Sequence, residues 1–478
     1  MPLAASTKRL IEECAGLNTR TAGRLGPELE FLVWASPTSY RDPEDTKLWH
    51  PVYLEKPAAY KLLVHCYLYL RYAFIGMARC FAYRGFSYAY KEAGAPLLIV
   101  MAEEITDHSA ELRTDYIIED VSHPEDKLVF SRLKKIGKDF TALGIWKKMM
   151  IGERLEMALI ADLMKQLVAG RLSMAYLDSL ALFHRWVISY SWCFHYDFYK
   201  LMRVILGRKQ AGYRSVFVPH EMHFYSRMAW KAAKGTGVRG ITAQHAMILP
   251  EKLWYFPDAA EVKAGCALPD IFYVYSEGTK ALLGKSYPGT DFRLCCGPRF
   301  RKWKDTARPD RSRADALTFV CGIMAYDTAI IVKAAKALLA EGYGAKRRIR
   351  LRLHPAGIIN RAQKEWIGAA AKAGSIELSN VPLREEFEMS RMIVGSNSAV
   401  LQEAVLSGVP ALALTSNEYI CASVLPDDDK WTIDVSRISW KIIEERSVSA
   451  PDRDTVLRSR ANMGLDNRDL TTATVAAA

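Results

Sequence analysis

The pattern of apolar and polar positions changes rhythm near residue 215. Upstream, long stretches repeat with a helical period and are dense in aromatics, above all from 152 to 206, where Trp186, Tyr190, Trp192, Phe194, Tyr196, Phe198 and Tyr199 recur at helical spacing. Such a stripe is read as core rather than as a ligand box. Earlier still, the pattern predicts a helix and loop over 1–26, a strand at 29–34, a loop rich in Pro and Asp at 36–51, an aromatic helix at 59–83 and a buried strand at 95–101. Downstream, short apolar runs alternate with helical stretches. Strands are expected at 216–219, 241–245, 271–275 and 292–295, with helices at 221–234 and 277–283. After a basic segment holding Pro298 and Pro309, strands follow at 317–323, 348–353, 376–378, 392–395 and 410–414, with helices at 328–339, 363–373, 383–389 and 399–406. This alternation predicts βαβ units and parallel sheets, an α/β protein of two domains with a cleft between them. The expected division is 1–300 with a helical insertion at about 150–207, a linker at 301–312, a second domain at 313–440, and a helix and tail at 441–478.

Two strand-to-loop-to-helix junctions carry candidate chemistry. Arg348-Ile349-Arg350-Leu351-Arg352-Leu353-His354-Pro355 alternates in polarity and stops at a proline that cannot continue a ladder, which delivers His354 to a strand end. Met392-Ile393-Val394-Gly395-Ser396-Asn397-Ser398 is a short strand running into small polar residues of the kind that cap helices. In an open parallel sheet ligands bind outside the carboxyl ends of the strands, and an anion suits the helix starts found there. The helix-terminus field contributes only about 0.3–1 kcal/mol. A protonated His354 would add a charge-assisted bond of about 1.5–3 kcal/mol. A third junction, Pro219-His220-Glu221-Met222-His223, lies one strand before Gln244-His245. Glu221 there could deprotonate an acceptor hydroxyl and His245 could orient it, although a helix-start carboxylate and a structural histidine account for the same spacing.

Charge narrows the partners without choosing one. The 478 residues hold 65 Lys+Arg against 53 Asp+Glu, a net charge of +12 that suits nucleic acid, an anionic membrane face or a phosphorylated substrate. Basic residues are spread along the chain and no recognition module is present, which argues against nucleic acid. Nine scattered cysteines without a C-x-x-C pair read as reduced core thiols of a cytoplasmic protein. The N-terminus lacks the apolar region of a secretory signal. Arg71 and Arg79 break the apolar stretch at 62–83, so a buried or membrane-surface helix is expected there rather than a span. Gly235-Thr236-Gly237-Val238-Arg239-Gly240 matches G-x-G-x-x-G but follows a helix and precedes a strand, the reverse of a dinucleotide loop. Asp427-Asp428-Asp429 reads as a solvated loop.

Glu221, Gln244-His245, Tyr255, Pro257-Asp258, Gly297-Pro298-Arg299, Arg352-Leu353-His354-Pro355, and Gly395 to Ala404 with Gly408-Val409-Pro410 resemble, in this order, the motifs of bacterial glycosyltransferases of surface-carbohydrate (O-antigen, capsule, lipopolysaccharide) biosynthesis. The resemblance covers about residues 215–415 and implies the GT-B fold, two Rossmann-like domains facing a cleft. Its His-Pro and serine-rich motifs are similar to those of sialyl and Kdo transferases, which take a sugar acid from a CMP-linked donor. It implies a donor site of Gly297, Arg299, Arg352, His354, Pro355, Gly395, Ser396, Asn397, Ser398 and Glu403, with His354, Ser396 and Ser398 at the phosphate and Glu403 at the ribose or in packing. Glu221 would be the base, with His245 and His354 as the other catalytic residues. It implies no metal and no cofactor beyond the nucleotide-sugar co-substrate, a glycan or lipid-linked glycan acceptor, and a cytoplasmic protein, peripheral on the inner face of the plasma membrane. This chain has Ala246 where the family often has glycine. CDP-glycerol glycerophosphotransferases share a related layout, and a non-catalytic nucleotide-binding scaffold of an assembly complex would carry the same pocket.

Overall fold

The computed structural model describes residues 5–25, 57–71, 82–90, 97–101, 127–131, 135–208, 212–219, 224–249, 255–297, 310–416, 424–425, 430–447 and 451–470, apart from single positions and short loops inside these ranges. The chain divides into two compact units. One comprises Pro2–His245, Lys252–Arg299 and Arg468–Ala478, the other Ala246–Glu251 and Phe300–Asn467. The expected strand at 29–34 and the acidic run at 427–429 lie outside the described residues, as does nearly all of the 301–312 linker.

The first unit holds helices α1 (Ala5–Leu25) and α2 (Ala58–Arg71), strands β1 (Phe86–Tyr90), β2 (Leu97–Met101), β3 (Lys127–Ser131) and β4 (Lys138–Phe140), then helices α3 (Ile145–Val168), α4 (Met174–Ser189) and α5 (Ser191–Leu206). The alternating part follows: β5 (Ser215–Val218), α6 (Phe224–Lys234), β6 (Arg239–Ala243), α7 (Ala259–Lys263), β7 (Ile271–Val274), α8 (Glu277–Gly284) and β8 (Asp291–Leu294). The sheet runs β4-β1-β3-β2-β5-β6-β7-β8. Its six strands from β3 to β8 are parallel. Strand β1 is antiparallel to both β3 and β4, so one edge departs from the all-parallel expectation. The aromatic stretch before residue 207 forms helices as its period predicts, and Trp192, Phe194, Tyr196 and Phe198 are buried in the core.

The false dinucleotide loop has its own physical explanation. Gly237 turns with φ +73° after α6. A Cβ on Gly240 would stand 2.7 Å from Trp230 Cδ1, so this glycine lets the α6 tryptophan lie flat on β6.

Helix α3 buries a carboxyl. Glu156 is inaccessible to solvent, and burial, reinforced by the neighbouring charge of Glu153, pushes its pKa from 4.5 up to about 8. Below about pH 4.5 both folded and unfolded states hold the proton and nothing is lost. Between 4.5 and 8 the unfolded chain ionises while the folded one does not, so stability falls as pH rises. Glu156→Gln is expected to raise the melting midpoint above wild type at pH 8 and to leave it little changed at pH 4. Equal shifts at both pH values would show that the buried carboxyl is not the cause.

The second unit is built from β9 (Ala316–Val320), α9 (Ala325–Ala340), β10 (Ile349–Arg352), α10 (Arg361–Lys372), β11 (Glu377–Ser379), α11 (Leu383–Met389), β12 (Ser390–Gly395), α12 (Val400–Leu406), β13 (Ala411–Thr415), β14 (Thr432–Asp434), α13 (Trp440–Ser447) and α14 (Arg453–Asn462). Local sequence sets several boundaries. Asn360 and Gln363 cap α10 reciprocally, each side-chain oxygen accepting the other's backbone N–H at 2.9 Å. Gly408, at φ +75°, ends α12. The sheet runs β11-β10-β9-β12-β13-β14 and is parallel throughout. Counted from β9 this is the order 3-2-1-4-5-6, the doubly wound Rossmann arrangement. Its switch point lies between β9 and β12, the place where the connections leave in opposite directions and the strand ends open.

Candidate functional site

The switch point gathers most of the candidate residues of the second unit along one edge. Arg352 of β10 sits opposite Val320 of β9, and Gly395 of β12 sits opposite the same Val320 from the other side. Three adjacent parallel strands therefore end in one row, and the loops carrying His354 and Ser396 leave it about two strand spacings, roughly 9–10 Å, apart. Gly395 must be glycine, since a Cβ there would stand 2.7 Å from Val320 Cγ2.

Between these loops runs the β9–α9 turn through Cys321 and Gly322. Its backbone is tied to β10, with Cys321 N–H donating to the Arg352 carbonyl at 2.9 Å. On the other side the Ser396 hydroxyl donates to Asp327 Oδ1 at 2.7 Å, with both residues fully buried. A Cβ on Gly322 would fall 2.2 Å from Asp327 Oδ2, so this position admits the carboxylate only as glycine. The pattern at 328–339 starts this helix three residues late and so leaves Asp327 out. The strand–glycine–helix-start signal around Gly322 was available as the first βα turn of the unit. Burial pushes the Cys321 thiol up to about 12, a shift that Asp327 reinforces, so this cysteine is no nucleophile.

The other candidates take distinct places. His354 is half-buried and Pro355 exposed. The chain turns sharply after them, with Gly357 N–H donating to the His354 carbonyl at 2.8 Å, and a Cβ on Gly357 would stand 3.5 Å from the Gly322 carbonyl. The histidine turn thus abuts the glycine turn. Arg352 uses Nη1 to hold the Val381 carbonyl, which secures the loop before α11. Asn397 Nδ2 donates to the Tyr326 hydroxyl at 3.4 Å. The N-cap of α12 is Ala399 rather than one of the three polar residues before it, and Ser398 Oγ accepts from Val400 N–H at 3.3 Å. Glu403 is buried within α12.

Two of the described candidates belong to the first unit. His245 follows β6, half-buried, behind a pinned residue: Gln244 Oε1 accepts from Tyr275 N–H at 2.9 Å and Gln244 N–H donates to the Tyr273 carbonyl at 2.8 Å. Gly297 is buried next to Cys296, whose N–H donates to the Arg468 carbonyl at 2.8 Å. Glu221, with His220 and His223, and Arg299 lie outside the described residues. Among the described residues no three His, Cys, Asp or Glu side chains cluster as a metal site would require.

No family model matches this sequence, and no curated protein does. Solved structures with similar folds include a pneumococcal O-GlcNAc transferase, GtfA, in complex with UDP and GlcNAc, at 12% identity and TM-score 0.35 over 55% of each chain. Others are Anabaena HepE in complex with UDP, at 9% identity and TM-score 0.36 over 59% of this chain and 79% of that one, and Acinetobacter baumannii MurG, at 10% identity and TM-score 0.31 over 59% and 76%. The chain spans 55% of the length of the first of these.

Proposed function

We propose that this protein is a glycosyltransferase that takes a sugar from a nucleotide-linked donor, with the donor phosphate held at the switch point of the second unit. The observation that carries this reading is the common row of Arg352, Val320 and Gly395, which brings the His354 turn, the Gly322 turn and the Ser396–Ser398 loop to one rim. Ligands bind at this rim in open α/β sheets. The His354 imidazole and the polar groups of the Ser396–Ser398 loop would stabilise the departing phosphate as its charge develops. In the transfer, a base removes the acceptor hydroxyl proton, the acceptor oxygen bonds to the anomeric carbon, and the bond from that carbon to the phosphate oxygen breaks. The nucleotide leaves carrying the electron pair. Glu221 is the base we propose, with His245 orienting the acceptor.

The donor we propose is a CMP-linked sugar acid and the product a cell-surface glycan, readings supported by the resemblance of Arg352-Leu353-His354-Pro355 and Gly395-Ser396-Asn397-Ser398 to sialyl and Kdo transferases. A thermal-shift series with CMP, CDP, UDP, GDP and ADP tests it, since ligand at 100 times its Kd stabilises by about 2.7 kcal/mol. CMP should give the largest shift. A larger UDP shift would replace the CMP donor while keeping the activity. A phosphorus-containing product made from CDP-glycerol, or binding without turnover, would overturn the glycosyl reading.

His354→Ala is expected to lower kcat/KM at least tenfold, about 1.4 kcal/mol of transition-state stabilisation. Near-wild-type turnover would remove the imidazole from the mechanism.

A further inference from the structure

Helix α3 carries a second apolar face that nothing in the described structure covers. Its inner side packs into the core through Ile151, Leu155 and Leu159. On its outer side Trp146, Met150, Met157, Met164 and Val168 are all exposed, Trp146 by 78% and Val168 by 84%. At 100° per residue these five fall within an arc of about 40° and run along about 33 Å of helix. A stripe of this length exceeds the scattered single apolar residues normal for a protein surface.

One flank of the stripe is basic. Lys147, Arg154 and Lys165, all exposed, project beside it within about 60° of Met150. Lys147 also lies 5.1 Å over the Tyr196 ring, and Arg154 gives one Nη2 to the Leu25 carbonyl at 2.7 Å, which fixes these cations in place. The sole acidic side chain exposed on α3 is Glu153, on the opposite flank; Glu156 and Asp162 are buried. A straight row of apolar side chains with a tryptophan at one end and a cationic border fits the interfacial zone of an anionic bilayer, in which the apolar edge enters the acyl boundary and the cations meet lipid phosphates.

We infer that the outer face of α3 docks this protein on an anionic lipid surface, lying in the plane of the membrane. No helix of the described residues is long and apolar enough to cross one. The docking face and the nucleotide rim belong to different units of the chain, and the inference holds whichever donor is used.

The experiment is co-sedimentation of the full chain with vesicles of phosphatidylcholine alone or with about one-third phosphatidylglycerol, at low and physiological salt. Wild type should partition to the anionic vesicles at least tenfold more than to the neutral ones. Met150→Asp/Met157→Asp/Met164→Asp should abolish this partition, and Lys147→Ser/Arg154→Ser/Lys165→Ser should weaken it and flatten its salt dependence. Both variants should keep the wild-type far-ultraviolet circular dichroism and the wild-type nucleotide-induced thermal shift. Wild-type partition by the methionine variant overturns the inference. So does a lipid-independent dimer that the methionine variant dissociates, because the stripe would then serve a second copy of the chain.

Discussion

Replacing Glu386 with alanine should lower the stability of the second unit by about 3–5 kcal/mol, among the largest effects available to a single substitution in this protein. Glu386 lies on α11, fully buried under the sheet. It accepts from Arg350 Nε at 2.8 Å on β10, from Thr318 Oγ1 at 2.9 Å on β9 and from the Ser379 hydroxyl on β11. Thr318 also shares a 2.7 Å hydrogen bond with Ser390 of β12. One carboxylate therefore ties three adjacent strands to helix α11, and Thr318 extends the network to a fourth. Its loss leaves the Arg350 guanidinium, whose side chain is 4% exposed, with the half-exposed Glu377 as its one remaining counter-ion among the described residues. Replacing Arg350 by Met and Glu386 by Leu together removes both charges and should cost far less than Glu386→Ala alone. Urea unfolding followed through the second unit's transition decides it. A loss under about 1 kcal/mol for Glu386→Ala would show that the pair is not isolated from solvent.

Gly322→Ala should weaken binding of the proposed donor nucleotide at least tenfold while the sheet still forms. The added methyl would collide with the Asp327 carboxylate at 2.2 Å, and that carboxylate holds the Ser396 hydroxyl, so the β9–α9 turn and the β12–α12 loop would move together. We expect at least a tenfold rise in the nucleotide Kd, about 1.4 kcal/mol, measured by calorimetry. A double-mutant cycle separates collision from loss of the acceptor. If Gly322→Ala/Asp327→Ala binds no worse than Asp327→Ala alone, the glycine acts through the carboxylate. Unchanged affinity in Gly322→Ala would place the nucleotide elsewhere.

Much of this architecture could be read before any coordinates. The strands expected at 216–219, 271–275, 392–395 and 410–414 all form, because a strand buried on both faces of a parallel sheet is a continuous apolar run that announces itself, and the one at 292–295 forms as the half-exposed edge of its sheet. The antiparallel edge was invisible for the converse reason. Strand β1, Phe-Ser-Tyr-Ala-Tyr, follows a stretch with helical period, and β3 is a five-residue run, Lys-Leu-Val-Phe-Ser, whose strand character comes only from pairing with β1 and β2. The site was legible as a set of strand ends, since His354-Pro355 and Gly395-Ser396 stop their strands by local chemistry. The hydrogen-bond partners were not legible. Nothing local to Ser396 shows that its hydroxyl faces a carboxylate 69 positions away, or that Arg352 Nη1 holds the Val381 carbonyl.

The bond from Cys296 N–H to the Arg468 carbonyl has a consequence for biosynthesis. Leu470, buried beside that late segment, comes off the ribosome after every residue of the second unit. At about 5–20 residues per second, the first unit waits on the order of ten seconds or more for its final strand-edge partner. During that interval the Cys296 N–H at the margin beyond β8 is without the Arg468 carbonyl that it bonds in the finished fold.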